Sequence, residues 1–239
     1  MKDFYSPLQN ITLWLGAWFY GFESFDSLKD ALGDLGGAHS LYDGEENLLE
    51  LLKFLRQKML TSAKPPVLMA LLGGPGDPIP APLGVNEALL IGHHTLLIPH
   101  QRATGVEWEA APYQGRPLST ISLGEADTLL REATARSADY IEGRDSLLQH
   151  QSSQPRLLVG TLSDFYENPG LPADLPPRAG QLIARADRVS AIVEAVHIRY
   201  DHHAFDPQLL SLAKYIRHAR MAAISYSLVE WGRRAGGQH

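Results

Sequence analysis

The sequence predicts an α+β protein: a small mixed β-sheet with helices in the N-terminal half, and a helical bundle in the C-terminal half. Three observations carry this. Between Pro176 and Arg234 two long apolar stripes run at helical spacing. In the first, Leu182, Ala186, Val189, Val193, Val196 and Tyr200 recur every three or four residues. In the second, Leu209, Leu212, Ile216, Ala219, Ala223 and Tyr226 do the same, the pattern of a bundle seam. Between Ala38 and Ala110, by contrast, short apolar runs are separated by glycine and proline, which is the signature of strands. Finally, proline, glycine and serine concentrate at 112–122 and divide the two patterns. The expected halves are 1–117 and 122–235, packed as one body.

Ser6-Pro7-Leu8-Gln9 starts the first helix. Serine caps, proline takes the first helical position, and glutamine follows three residues after the cap. Leu8, Ile11, Leu15, Trp18 and Phe22 then mark its apolar face. Eight of the chain's 20 aromatic residues fall between Phe4 and Phe25. Trp14, Trp18 and Phe22 are therefore candidates for a partner-docking surface, although helical spacing favours burial in a core. A second helix spans about Phe25–Leu35, and Gly36-Gly37 ends it.

Ala38–Tyr42 reads as a strand. Asp43 and Glu46 form a capping box for a helix whose apolar face is Leu48, Leu51, Leu52, Leu55 and Met59, and Pro65-Pro66 stops it. Val67–Leu72 is apolar throughout, as suits a buried strand. Strand, helix, strand suggests a crossover joining two parallel neighbours. The loop that follows, Gly73-Gly74-Pro75-Gly76-Asp77-Pro78, sits where such folds bind phosphate. It lacks the P-loop lysine, and its prolines prevent a helix from opening there, so it reads as a turn-rich loop. Glu87–Ile91, Thr95–Ile98 and Val106–Ala110 complete a meander, punctuated by Gly92, Pro99 and Gly105, in a sheet of four or five strands.

Ser122 and Glu125 cap a helix with Ala126, Leu130, Ala133, Ser137 and Tyr140 on one face. A break at His150–Pro155, a shorter helix at Arg156–Tyr166 and a loop at Asn168–Leu175 follow. Pro177 and Pro207 open the last two helices.

The chain has 239 residues, is 44% hydrophobic and 20% charged, and contains no cysteine. An ordered core is expected; disulfides, thiolate metal sites and cysteine nucleophiles are excluded. The N-terminus shows no signal peptide and no run is long enough to span a membrane, so a cytoplasmic protein is expected. The net charge of −6 is uneven: residues 1–121 hold 8 basic and 13 acidic residues, residues 171–239 hold 9 and 6. That balance argues against a nucleic-acid partner.

Ten histidines offer the main chemistry. His93, His94 and His100 flank one short strand. Glu194 and His197 share a helical face, half of a di-iron carboxylate pattern whose other members are missing. His202 and His203 suit a helix C-terminus. His93, His94, His100, Glu194 and His197 are the candidates for a site between the halves. Lys214, Arg217 and Arg220, with Arg185 and Arg188, read as a solvated basic face. No nucleophile motif is present, and no catalytic, cofactor-binding or metal-ligating residue is assigned.

Three passages, TLWLGAWFYGFESFDSLKDAL, LLGGPGD and LPPRAGQLIARADRVSAI, resemble an uncharacterised actinobacterial protein family. The resemblance implies a short α/β front, a glycine-proline loop after the second strand, a helical back and a bacterial cytoplasmic setting. It transfers no functional residue. The leading expectation is a non-enzymatic interaction or scaffold protein that binds a protein partner or itself. The alternative is a small-ligand binder or enzyme with its site in the cleft between the halves.

Overall fold

A computed structural model describes residues 6–42, 47–61, 66–74, 76–82, 84–115, 118, 121–145, 170–199 and 206–236. Its helices are α1 (Pro7–Phe19), α2 (Phe25–Gly36), α3 (Leu48–Leu60), α4 (Leu123–Asp145), α5 (Pro177–Arg199) and α6 (Asp206–Gly236). Its strands are β1 (Ala38–Leu41), β2 (Leu68–Leu72), β3 (Glu87–Ile91), β4 (Thr95–Gln101) and β5 (Gly105–Pro112). The α+β reading holds: five strands form one mixed sheet in the N-terminal half, and the helices of the C-terminal half pack together.

Several local signals act as expected. The Ser6 hydroxyl accepts the Leu8 N–H at the start of α1, with proline at the first turn. The Ser122 hydroxyl accepts the Glu125 N–H at the start of α4. At α3 the cap is Asn47, whose carboxamide oxygen accepts the Leu49 N–H; Asp43 and Glu46 lie outside the described residues, as does the helix expected at Arg156–Tyr166.

The strand order is β1-β5-β4-β3-β2. Strands β2 to β5 form an antiparallel meander, and β1 pairs in parallel with β5. The expected crossover is therefore not formed: β1 and β2 occupy opposite edges. Tight turns at 92–94 and 102–104 join β3, β4 and β5, and the longer loop 73–86 returns the chain from β2 to β3. Of the two edges this meander leaves, the last helix packs on β2 and β1 takes β5. Pro99 lies within β4 rather than ending it, opposite Trp108. The β3–β4 ladder stops at Leu89–Leu97, so no donor toward β3 is needed at position 99.

Alternation divides the sheet into two faces. Leu68, Ala70, Leu72, Leu89, Ile91, Leu97, Val106 and Trp108 join the helices in the main core. Met69, Leu71, Leu90, Leu96 and Ile98 form a second cluster with Tyr113, covered by Ile79, Ala81 and Val85 from the loop after β2. The continuous apolar run of β2 is thus buried on both faces.

Helix α6 is the centre of the molecule. It packs against α4, α5, α1 and β2. Leu182, Ala186, Val189 and Val193 of α5 and Leu212, Ile216, Ala219 and Ala223 of α6 are all buried, as the stripes predict. So are Ala222, Ile224, Leu228 and Trp231 on the other sides of α6. Gly16 brings α1 close: a Cβ there would collide with Leu228. The main core runs without interruption from Leu8 to Trp231. No helix among the described residues is long and apolar enough to cross a membrane.

Candidate functional site: a cleft between the sheet edge and the last helix

Strand β2 is an edge strand. Gly73 N–H donates to Asn86 O and Gly92 N–H donates to Val67 O, so the odd-numbered residues of β2 pair with β3. The backbone groups of Leu68, Ala70 and Leu72 then face outward, an edge that folded proteins must cover. Helix α6 covers part of it: the Leu72 N–H meets the Met221 thioether at 3.4 Å.

The loop after β2 closes the next wall. Gly74 and Asp77 exchange both backbone hydrogen bonds, at 3.1 and 2.9 Å, and Gly76 has φ +72, as a tight turn demands. A Cβ on Gly74 would sit 2.7 Å from an Arg217 guanidinium nitrogen. Glycine at this position therefore lets α6 lay an arginine against the loop backbone. Asp77 is the hub. Its Oδ2 lies 3.4 Å from Arg217 Nη2 and 3.2 Å from His218 Nε2, and its Oδ1 lies 3.9 Å from Lys214 Nζ. Positions 214, 217, 218 and 221 share one helical face, so one turn and a half of α6 supplies every partner.

Between β2, this loop and α6 lies a cavity of about 190 Å³. Its walls are mainly apolar: Ala70, Leu72, Ile79, Leu118, Met221 and Ala222. Asp77 and His218 supply the charged and titratable groups of the lining. Burial pushes the His218 pKa down, and the charges of Lys214 and Arg217 push the same way against the pull of Asp77. The ring is consequently neutral near pH 7. With Nε2–H donating to Asp77, Nδ1 keeps its lone pair. Burial also lowers the Arg217 pKa, opposed by Asp77; a guanidinium stays charged regardless.

Behind the cleft a second polar group ties the halves together. Glu87, opposite Leu72 in the ladder, has its pKa raised by burial, against the Ser6 hydroxyl and the Arg220 charge. Arg220 is 3% exposed and donates to Asp187 at 2.8 Å and to Ser190 at 3.1 Å. The expected solvated basic face is corrected here: Arg220 is buried and Arg217 nearly so, because this side of α6 faces β2 and α5 rather than water.

The candidates read from sequence are dispersed. His93 occupies the β3–β4 turn with φ +63, and His94 beside it is exposed. His100 pairs with Glu109 at 2.8 Å. Alternation puts both on the face of Leu96 and Ile98, away from the helices. Glu194 is buried on α5. His197 lies on α5 with its side chain outside the described residues, as are His202 and His203. Among the described residues no cluster of three or more histidines and carboxylates could hold a metal. Trp14, Trp18 and Phe22 are half-buried against the core. Trp14 donates to Gly170 O at 3.0 Å, and Phe22 stacks on Trp231 beneath the Arg234 guanidinium.

Sequence reasoning missed His218 and treated Asp77 as loop. The available signal was the run Lys214, Arg217, His218 at helical spacing, together with one acid in a glycine loop closing a strand. Residues 9–120 match a family model described as Rv1486c-like protein, N-terminal domain, and residues 124–221 match one described as Rv1486c-like protein, C-terminal domain. No curated protein and no solved structure matches the chain.

Proposed function

The chain belongs to the Rv1486c-like family, matching both of its domain models in order, and we propose that it is a small-molecule-binding protein whose site is the cleft between the halves. One observation carries the reading. A cavity of about 190 Å³ joins the edge of β2 to α6, with apolar walls and one hydrogen-bonded Asp77–His218 pair. A concave apolar site with a few convergent polar groups is the usual form of a ligand pocket. The volume suits a ligand with one ring or a short branched chain, since an engineered apolar cavity of about 150 Å³ holds benzene.

A fragment screen followed by thermal shift tests this. Single-ring fragments should raise the melting temperature of the parent, because ligand bound to the native state stabilises it by mass action. Ala222→Leu, which adds a side chain inside the cavity, should stay folded and lose the response. A parent that no such fragment stabilises, or an Ala222→Leu variant that responds equally, sinks the proposal.

A second reading, association with a protein partner or a second copy, draws support from α3. Leu49 and Leu60 are 45% and 68% exposed, and eleven residues of separation return them to one helical face. The exposed Lys53 and Arg56 stand between them on that face, so the partner this reading requires is one that packs both leucines and meets the two cations.

A further inference from the structure

We propose that the ligand of this cleft is a small ring or enol bearing one weakly acidic hydroxyl, and that the Asp77–His218 pair binds that hydroxyl and takes its proton. The inference rests on the cleft being a ligand site and adds the chemistry of what it holds. The charges around His218 select among polar groups. Asp77 faces it from the loop, Lys214 and Arg217 from α6, and the Tyr215 ring lies edge-on at 6.5 Å between centroids.

Toward a fully charged ligand the site acts in two opposed senses: Asp77 in the cavity wall repels a carboxylate and attracts an ammonium, while Lys214 and Arg217 behind it do the reverse. A neutral hydroxyl meets neither repulsion, and it finds a neutral imidazole whose Nε2–H is held by Asp77. Nδ1 is then the base. Asp77 does for His218 what a carboxylate does wherever it orients an imidazole: it sets the tautomer and stabilises the imidazolium once formed.

The step is a single proton transfer. The ligand O–H bond breaks, the His218 Nδ1–H bond forms, and the electron pair stays on the ligand oxygen. The products are an imidazolium beside Asp77 and an oxyanion beside that imidazolium. Lys214 and Arg217 favour the anionic ligand while disfavouring a protonated histidine in its absence. The transfer is therefore nearest to balance for hydroxyls whose acidity is close to that of the imidazole, which is the range of activated phenols and enols.

The test uses the full chain and 4-nitrophenol, whose phenolate has its own visible absorption band, with nitrobenzene as the analogue lacking the hydroxyl. Both are titrated at a pH below the free phenol's pKa. The expected result is tighter binding of 4-nitrophenol and a rise in phenolate absorbance. The rise should equal a lowering of its pKa by about one unit, roughly the worth of one charge-assisted hydrogen bond. His218→Gln should bind the phenol about tenfold more weakly and give no phenolate band. If both probes bind alike and no band rises, the cleft stands as a ligand site but the acidic-hydroxyl assignment is overturned. If neither probe binds, both fall. The comparison of probes on the parent chain decides even where His218→Gln does not fold.

Discussion

Acidification should destabilise this protein through His39 on β1, and the size can be worked from its surroundings. His39 is 3% exposed. Its Nε2–H donates to Leu32 O at 3.0 Å, and its Nδ1 accepts the Trp108 indole N–H at 3.1 Å. Only a neutral ring can do both. A proton on Nδ1 would set two donors against each other in an apolar core. Burial accordingly pushes the pKa from 6.5 down to about 4, with the Leu32 carbonyl pulling weakly the other way. The unfolded chain binds more protons than the folded one between those two values, so stability rises with pH across that window and is lost as pH falls through it. Linkage gives a loss of about 2 kcal/mol between about pH 7 and pH 5, and about 3 kcal/mol by about pH 4. Glu87 acts in the opposite sense. Its raised pKa makes the folded state bind more protons above the ordinary carboxylate range, so its contribution falls as pH rises. The assay is therefore a difference: urea melts of the parent and of His39→Gln at the two pH values. The variant should be less stable at neutral pH, because its amide cannot reproduce both hydrogen bonds, but its loss on acidification should be smaller by about 2 kcal/mol. Equal losses would refute the assignment of a buried neutral histidine.

Val193→Asp should cost several kcal/mol, a large share of a typical domain's stability, because Val193 is 1% exposed in the seam facing α6. Arg188→Ala, on the exposed side of the same helix, should change stability by less than about 0.5 kcal/mol; equal thermal melts for the two variants would undo the seam. Light scattering at high concentration, in low and high salt, tests association through α3. A dimer that Leu60→Glu dissociates is expected under that reading, and a strict monomer throughout counts against it.

The local content of the fold was legible in the sequence because local chemistry decides it. The Ser6 and Ser122 caps, the proline at the first turn of α1 and the strand Glu87–Ile91 each depend on a few neighbouring residues. The stripes of α5 and α6 were legible because burial on one helical face imposes a period on the sequence. Pairing partners were not. Whether β1 joins β2 or β5 is settled by which edge of the meander α6 covers, and no residue in β1 records it. The same holds for the site. Lys214, Arg217 and Arg220 look like solvated charges on any helical wheel, and only the position of β2 and α5 against that face takes two of them out of water. His218 carried no motif. It gains its chemistry from Asp77, 141 residues earlier, through a loop whose glycine admits an arginine. What the sequence by itself determined was the set of elements and their buried faces, since these follow from hydrophobic period and backbone preference. What tertiary structure alone decided was which charged groups share one low-dielectric place, because Coulomb and desolvation energies depend on distance in space and not along the chain.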